Sequence, residues 1–165
     1  MIILGIDPGY AITGYAIIKV DSMTKVITFI DCGCIFSYPK DIFPKRLLIV
    51  FNGIKEIIKK YKPDKIAIEH IYFAKNAKTA IKVSEARGVI TLAAASENID
   101  IFGFTPLQVK QALTGYGRAS KSQIQEMVKK VLKLKDIPRP DDAADALAIA
   151  LTCAQTNQAL RHSGN

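Results

Sequence analysis

Five residues near the start, Ile2-Ile3-Leu4-Gly5-Ile6, constrain this chain more than any other stretch. The run is almost wholly apolar, which predicts a central strand buried on both faces rather than an edge strand with one wet side. Asp7-Pro8-Gly9 ends it abruptly and leaves a carboxylate where the strand exits the sheet. Thr13 to Val20 and Val26 to Phe36 read as two further strands, separated by the polar turn Asp21-Ser22-Met23-Thr24-Lys25. Connections this short join antiparallel neighbours.

The hydrophobic period then lengthens. Leu47, Leu48, Phe51, Ile54, Ile57, Ile58 and Tyr61 recur at helical spacing between Lys45 and Tyr61. Lys62-Pro63-Asp64 stops that helix, and Lys65-Ile66-Ala67-Ile68-Glu69 is a short apolar strand that ends on an acid. Ala77 to Asn98, rich in small residues, predicts a second helix, and Ile99 to Thr105 a strand closed by Pro106. Ser120-Lys121-Ser122-Gln123 opens a third helix as a capping box, with Ile124, Met127, Val128, Val131 and Leu132 on its apolar face. Pro138-Arg139-Pro140 forces a break, after which Ala143 to Ala154 is apolar almost all round and predicts a buried helix. Three antiparallel strands, then helix–strand–helix–strand, then two helices make one mixed α/β domain over residues 1–154. The remainder, 155–165, reads as a flexible C-terminal tail.

Composition narrows the partners. With 165 residues and 49% hydrophobic content the chain fits one domain with a real core. Its 23 Lys+Arg against 15 Asp+Glu give a net charge of +8, which suits a polyanion. Cys32, Cys34 and Cys153 are an odd number without paired zinc spacing, and read as buried free thiols. No apolar stretch is long enough to span a bilayer, so the expected setting is the cytoplasm.

The acids carry the chemistry. Asp7 and Glu69 each terminate an apolar strand, where side chains leaving an α/β sheet enter the crevice at its edge. Asp142 and Asp145 lie three apart at the start of the last helix and share a face, close to the positive end of its dipole. Each has an ordinary structural use: Asp7 as an Asx-turn residue, Asp142 as an N-cap, Glu69 as a partner for a lysine. Asp145, past the capping turn of a core helix, is the hardest to explain that way. Together the four favour a hard-cation site for Mg²⁺ or Mn²⁺. Two such ions would drive in-line phosphodiester hydrolysis, with Asp7 bridging them. Asp141 is a fifth acid whose register, i,i+4 from Asp145, leaves open whether it or Asp142 enters the site. His70 follows Glu69 and so faces the other side of the strand, a structural position.

Ile3-Leu4-Gly5-Ile6-Asp7-Pro8-Gly9, Thr13-Gly14-Tyr15, Ala67-Ile68-Glu69, Ala74-Lys75-Asn76, Ala86-Arg87-Gly88, Gln108-Val109-Lys110-Gln111, Lys121-Ser122-Gln123 and Asp142-Ala143-Ala144-Asp145-Ala146-Leu147-Ala148 occur in that order. Together they resemble the RuvC family of bacterial Holliday junction resolvases. The resemblance implies a ribonuclease H-like fold: a mixed five-stranded sheet, three antiparallel strands then parallel β-α units, flanked by helices. It implies a homodimer that resolves four-way DNA junctions by paired nicks in recombination and repair, with two Mg²⁺ per site and Mn²⁺ able to substitute. Its four metal-binding catalytic acids fall on Asp7, Glu69, Asp142 and Asp145. Its DNA contacts fall on Lys75, Lys110 and Lys121, and on Tyr72, an aromatic that would stack at the junction centre. RuvA- and RuvB-type branch-migration proteins are the implied partners. The helix that carries Arg87-Gly88 is either the dimer surface or simply packs tightly on its own sheet.

Three rivals share some of these features. The Asp7-Pro8-Gly9…Thr13-Gly14 segment also resembles the phosphate loop of actin-like sugar kinases and ATPases, which clamp a nucleotide between two such domains. A non-enzymatic DNA-binding module could keep the fold, although four intact acids argue against it. A nuclease acting on RNA or RNA–DNA hybrids is the third.

Overall fold

The computed structural model describes residues 1–71 and 77–162, with side chains for 1–71 and 79–156. Among the described residues, β1 (Ile2–Asp7), β2 (Ile12–Val20), β3 (Ile27–Phe36), β4 (Lys65–Glu69) and β5 (Asp100–Phe104) form one sheet in the order β3-β2-β1-β4-β5. β2 pairs antiparallel with both β1 and β3, whereas β1, β4 and β5 run parallel. The expected central strand is therefore central, and it is the seam where antiparallel pairing gives way to parallel.

Alternation along β1 separates two cores. Leu4 and Ile6 face one layer, where α1 (Phe43–Tyr61) and α2 (Ala77–Ala95) contribute Val50, Ile54, Ile90, Ala93 and Ala94. Ile3 faces the other layer with Ala16, Ile18 and Ala67. There the cover is α3 (Pro106–Thr114), α4 (Lys121–Val131) and α5 (Asp141–His162). Residues two apart on a strand share a face, so Gly5 and Asp7 follow Ile3 toward α5, and Glu69 follows Ala67 to the same side.

The helix count is one place where the expectation fails. Three helices follow β5, not two, because Pro106 begins α3 rather than merely closing β5. Thr105 is its N-cap, in a capping box with Gln108; Pro106 occupies the first turn, where a missing N–H costs nothing, and Gly115 closes the helix with φ 70°. The helix opened by Ser120 has the anticipated capping box, and is α4. A second correction concerns the thiols: Cys153 is buried, but Cys32 and Cys34 are only half-buried. α2 stops at Ala95, three residues short of its anticipated end, and α5 continues to His162, past residue 154. His70 lies on the α1/α2 side of the sheet with its ring over Gly103, where any Cβ would collide with it.

The seating of α5 depends on absent side chains. A Cβ on Gly5 would collide with the Ala146 carbonyl and stand 2.8 Å from the Ala150 Cβ. A Cβ on Gly14 would collide with the Asp142 carbonyl and stand 3.1 Å from the Asp142 Cβ. Because the obstacles include backbone, a methyl group at either place must push the helix away. Gly5→Ala should destabilise the protein by roughly 1–3 kcal/mol, read as a lowered urea midpoint at unchanged slope. An unchanged midpoint would show that α5 has slack at this contact.

Candidate functional site

Asp7 and Glu69 occupy the C-terminal ends of neighbouring parallel strands, β1 and β4, on the face covered by α5. The register pairs Ile6 with Ile68, so the two acids leave the sheet level with each other. Asp7 pairs with Gly14 on its other side, and Gly14 is where the α5 backbone at Asp142 comes down. That contact brings the first turn of α5 over the strand ends, with Asp145 following three residues on. Acids from three separate segments thus converge because a helix start rests on a glycine.

Their crowding shows in their acidity. The Asp7 carboxyl is pushed up from 3.8 to about 8, first by burial and then by the charges of Glu69, Asp145 and Asp142; Lys121 pulls weakly the other way. Burial, followed by the charge of Asp145, also raises Glu69. Asp145 is raised by burial, despite its hydrogen bond from Lys121. Like charges held together in a poorly solvated cleft call for a cation, and hard carboxylate oxygens suit a hard divalent one.

Among the described residues, Lys121 forms an ion pair with one of these acids. It follows the N-cap Ser120, so α4 starts at the rim and its lysine reaches inward. Its Nζ lies 2.8 Å from Asp145 Oδ2 and 3.5 Å from Asp141 Oδ2. Asp141 Oδ1 in turn receives a hydrogen bond from Arg139 Nη1 at 2.8 Å. Among the described residues, no three His, Cys, Asp or Glu side chains stand ready-made around a metal position. Lys110, on α3, lines a cleft of about 160 Å³ together with Glu69, Asp145, Val109 and Ile124. Both anticipated lysines therefore border the acids. Tyr72 and Lys75 lie outside the described residues.

Three neighbours escaped the sequence reading. Arg87 Nε donates to the Glu69 carbonyl at 3.3 Å, tying α2 to the end of β4. Cys34, paired with Gly14, sits close enough to Asp142 that burial and that charge push its thiol up to about 11. Arg139 holds Asp141. The Arg87 signal was present in Ala86-Arg87-Gly88, a motif without an assigned role. The other two depend on loop and strand pairing that no local pattern encodes.

The chain is similar over nearly its whole length to one family of known proteins. The family model described as crossover junction endodeoxyribonuclease RuvC matches residues 3–153. A crossover junction endodeoxyribonuclease RuvC from Ruminiclostridium cellulolyticum is 51% identical, the alignment covering 92% of this chain and 90% of that one. The one from Petrotoga mobilis is 48% identical over 99% of both chains. Among solved structures, T. thermophilus RuvC in complex with Holliday junction substrate superposes with a TM-score of 0.90 at 32% identity, covering 96% of each chain. The five-stranded mixed sheet with flanking helices is thus the ribonuclease H-like fold.

The raised carboxyl has a consequence for stability. Asp7 titrates near 3.8 when exposed and near 8 in the fold, so between those values the native state binds the extra proton. Metal-free protein should therefore lose stability as pH rises from about 4 to about 8, and level off above. Thermal unfolding of Asp7→Asn should fall less steeply over that interval than wild type. Parallel slopes for the two proteins would refute the coupling.

Proposed function

This chain belongs to the crossover junction endodeoxyribonuclease RuvC family, and from that membership we propose a divalent-metal-dependent endonuclease that resolves four-way DNA junctions by symmetric paired nicks. Membership displaces the nucleotide-clamping, non-enzymatic and RNA-directed alternatives. The observation that carries the site assignment is the convergence of Glu69, Asp142 and Asp145 on Asp7, whose carboxyl they and burial drive up to about 8.

Asp7, Glu69, Asp142 and Asp145 form the catalytic set and hold two Mg²⁺, with Mn²⁺ an acceptable substitute. Held there, the ions supply Lewis acidity and water activation for in-line hydrolysis of a phosphodiester. The residues do the rest. Asp7, flanked by the other three acids, would supply a carboxylate ligand at the centre of the set. Lys110 and Lys121 border the acids and hold the scissile strand's phosphates, offsetting the repulsion a carboxylate cleft would exert on DNA. Tyr72 and Lys75 complete the DNA contacts, the tyrosine by stacking on bases at the junction centre. The catalytic unit is the single domain of residues 1–154, followed by the 155–165 tail.

Symmetric nicking needs two sites related by a two-fold axis, hence a homodimer. α2 supports one. Its inner face packs Ala86, Ile90, Ala93 and Ala94 into the protein, while Ile81 and Leu92 are 54% and 61% exposed, and Gly88 between them meets open space. Apolar side chains flanking an open glycine suit a second helix laid closely against this one. No described helix is long and apolar enough to cross a membrane; the reading places the enzyme in the cytoplasm, working with RuvA- and RuvB-type proteins.

One experiment tests the reading: cleavage and binding of a synthetic four-way junction and a linear duplex, with and without Mg²⁺. Wild type should nick the junction in preference to the duplex, and only with the metal. Asp7→Asn should lose cleavage yet bind the junction within about threefold of wild type, because binding rests on lysines and shape. Lys110→Ala and Lys121→Ala should each lower the slope of log affinity against log salt by about 1. Wild-type cleavage by Asp7→Asn would sink the catalytic assignment, and unchanged salt slopes the phosphate contacts.

A further inference from the structure

We propose, resting on the metal-site reading above, that Asp141 is a positioning residue: it offers the Lys121 ammonium a second seat, so that a divalent cation can take Asp145 without expelling the lysine from the site. The relevant atoms form a chain of alternating charge. Arg139 Nη1 lies 2.8 Å from Asp141 Oδ1, Lys121 Nζ lies 3.5 Å from Asp141 Oδ2, and the same Nζ lies 2.8 Å from Asp145 Oδ2. Asp141 and Asp145 are one turn apart on α5, and one ammonium spans both.

The two seats are not equivalent. Asp145 is the more buried of the two, its side chain 30% exposed against 43% for Asp141, which sits at the rim and is steadied by Arg139. Arg139 takes Oδ1 and leaves Oδ2 for Lys121. An ion bound at Asp145 turns the ammonium 2.8 Å away into a like-charged neighbour, and the lysine must withdraw. Lys121 is about half exposed, so neither contact locks it. Lacking Asp141, its flexible four-carbon stem would carry the charge into solvent. With Asp141 present, a small rotation transfers it to an oxygen already within reach, still at the mouth where a phosphate arrives. Asp141 acts on the lysine, not on the ion.

Calorimetric titration of Mn²⁺ into the full-length, DNA-free protein tests this through a double-mutant cycle. Asp141→Asn should weaken Mn²⁺ binding about fivefold in the wild-type background, and by less than about twofold when Lys121 is already replaced, as in Lys121→Met. Asp141→Glu, which keeps a carboxylate at the helix start, should restore most of the affinity and guards against a folding defect in the Asn variant. Equal weakening in both backgrounds would mean that Asp141 acts on the ion directly, and would overturn the proposal. So would unchanged affinity in Asp141→Asn with Lys121 intact. A wild-type protein that binds no Mn²⁺ would remove the metal site itself, and this inference with it. That outcome is distinguishable from the two in which wild type binds and only the Asp141 effect is wrong.

Discussion

α5 lies against the sheet with its backbone on Gly5 and Gly14, and that contact brings its acids over the two that end the strands. Two strands end in carboxylates, but strand ends alone would leave Asp7 and Glu69 at the mouth of an open groove. The helix supplies both the remaining acids and the cover that desolvates the first two. It comes this close because its sheet-facing positions are largely alanine: Ala143, Ala146 and Ala150 are buried with almost no exposed surface. Small residues on the helix and glycines on the strands exchange side-chain volume for proximity, and proximity makes carboxylates interact.

That proximity sets up an electrostatic conflict. The chain as a whole carries +8, yet the cleft between the strand ends and α5 gathers negative charge. A polyanion approaching the basic surface would meet repulsion at these carboxylates. Lys121 and Lys110 at the rim soften the conflict, and Asp7 reduces it further by holding a proton up to about pH 8. Both devices suit a cleft completed by divalent cations, which would neutralise the acids and draw a phosphate in with the same charge. Arg87, bonded to the Glu69 carbonyl, keeps the end of β4 in place.

Much of this was legible in the chain. The apolar Ile2–Ile6 run announced a central strand because a strand buried on both faces needs no polar alternation, and its terminal Asp7 marked the sheet edge. Glu69 stood out for the same reason. Asp145 stood out because a helix apolar on all sides has no structural use for a carboxylate. Gly5, by contrast, read only as one more member of an apolar run. Its real contribution, room for a carbonyl on another element, is a property of two segments and has no local signature. α3 was hidden because Pro106 reads as a terminator unless Thr105 and Gln108 are recognised as its cap. The half-exposure of Cys32 and Cys34 depends on how far helices cover the outer end of the sheet, which hydrophobicity alone does not specify. The link between Asp141 and Lys121 joins the first residues of α5 and α4, and only the fold brings them together.

The central claim is that the quartet, closed around Asp7 by the packing of α5, is a two-ion site. Anomalous diffraction from crystals grown with Mn²⁺ tests it most directly. The account predicts two peaks about 3.5–4 Å apart, with an Asp7 oxygen touching both and Glu69, Asp142 and Asp145 completing the shells. Peaks that leave Asp7 uncoordinated, or that fall outside the quartet, would contradict it.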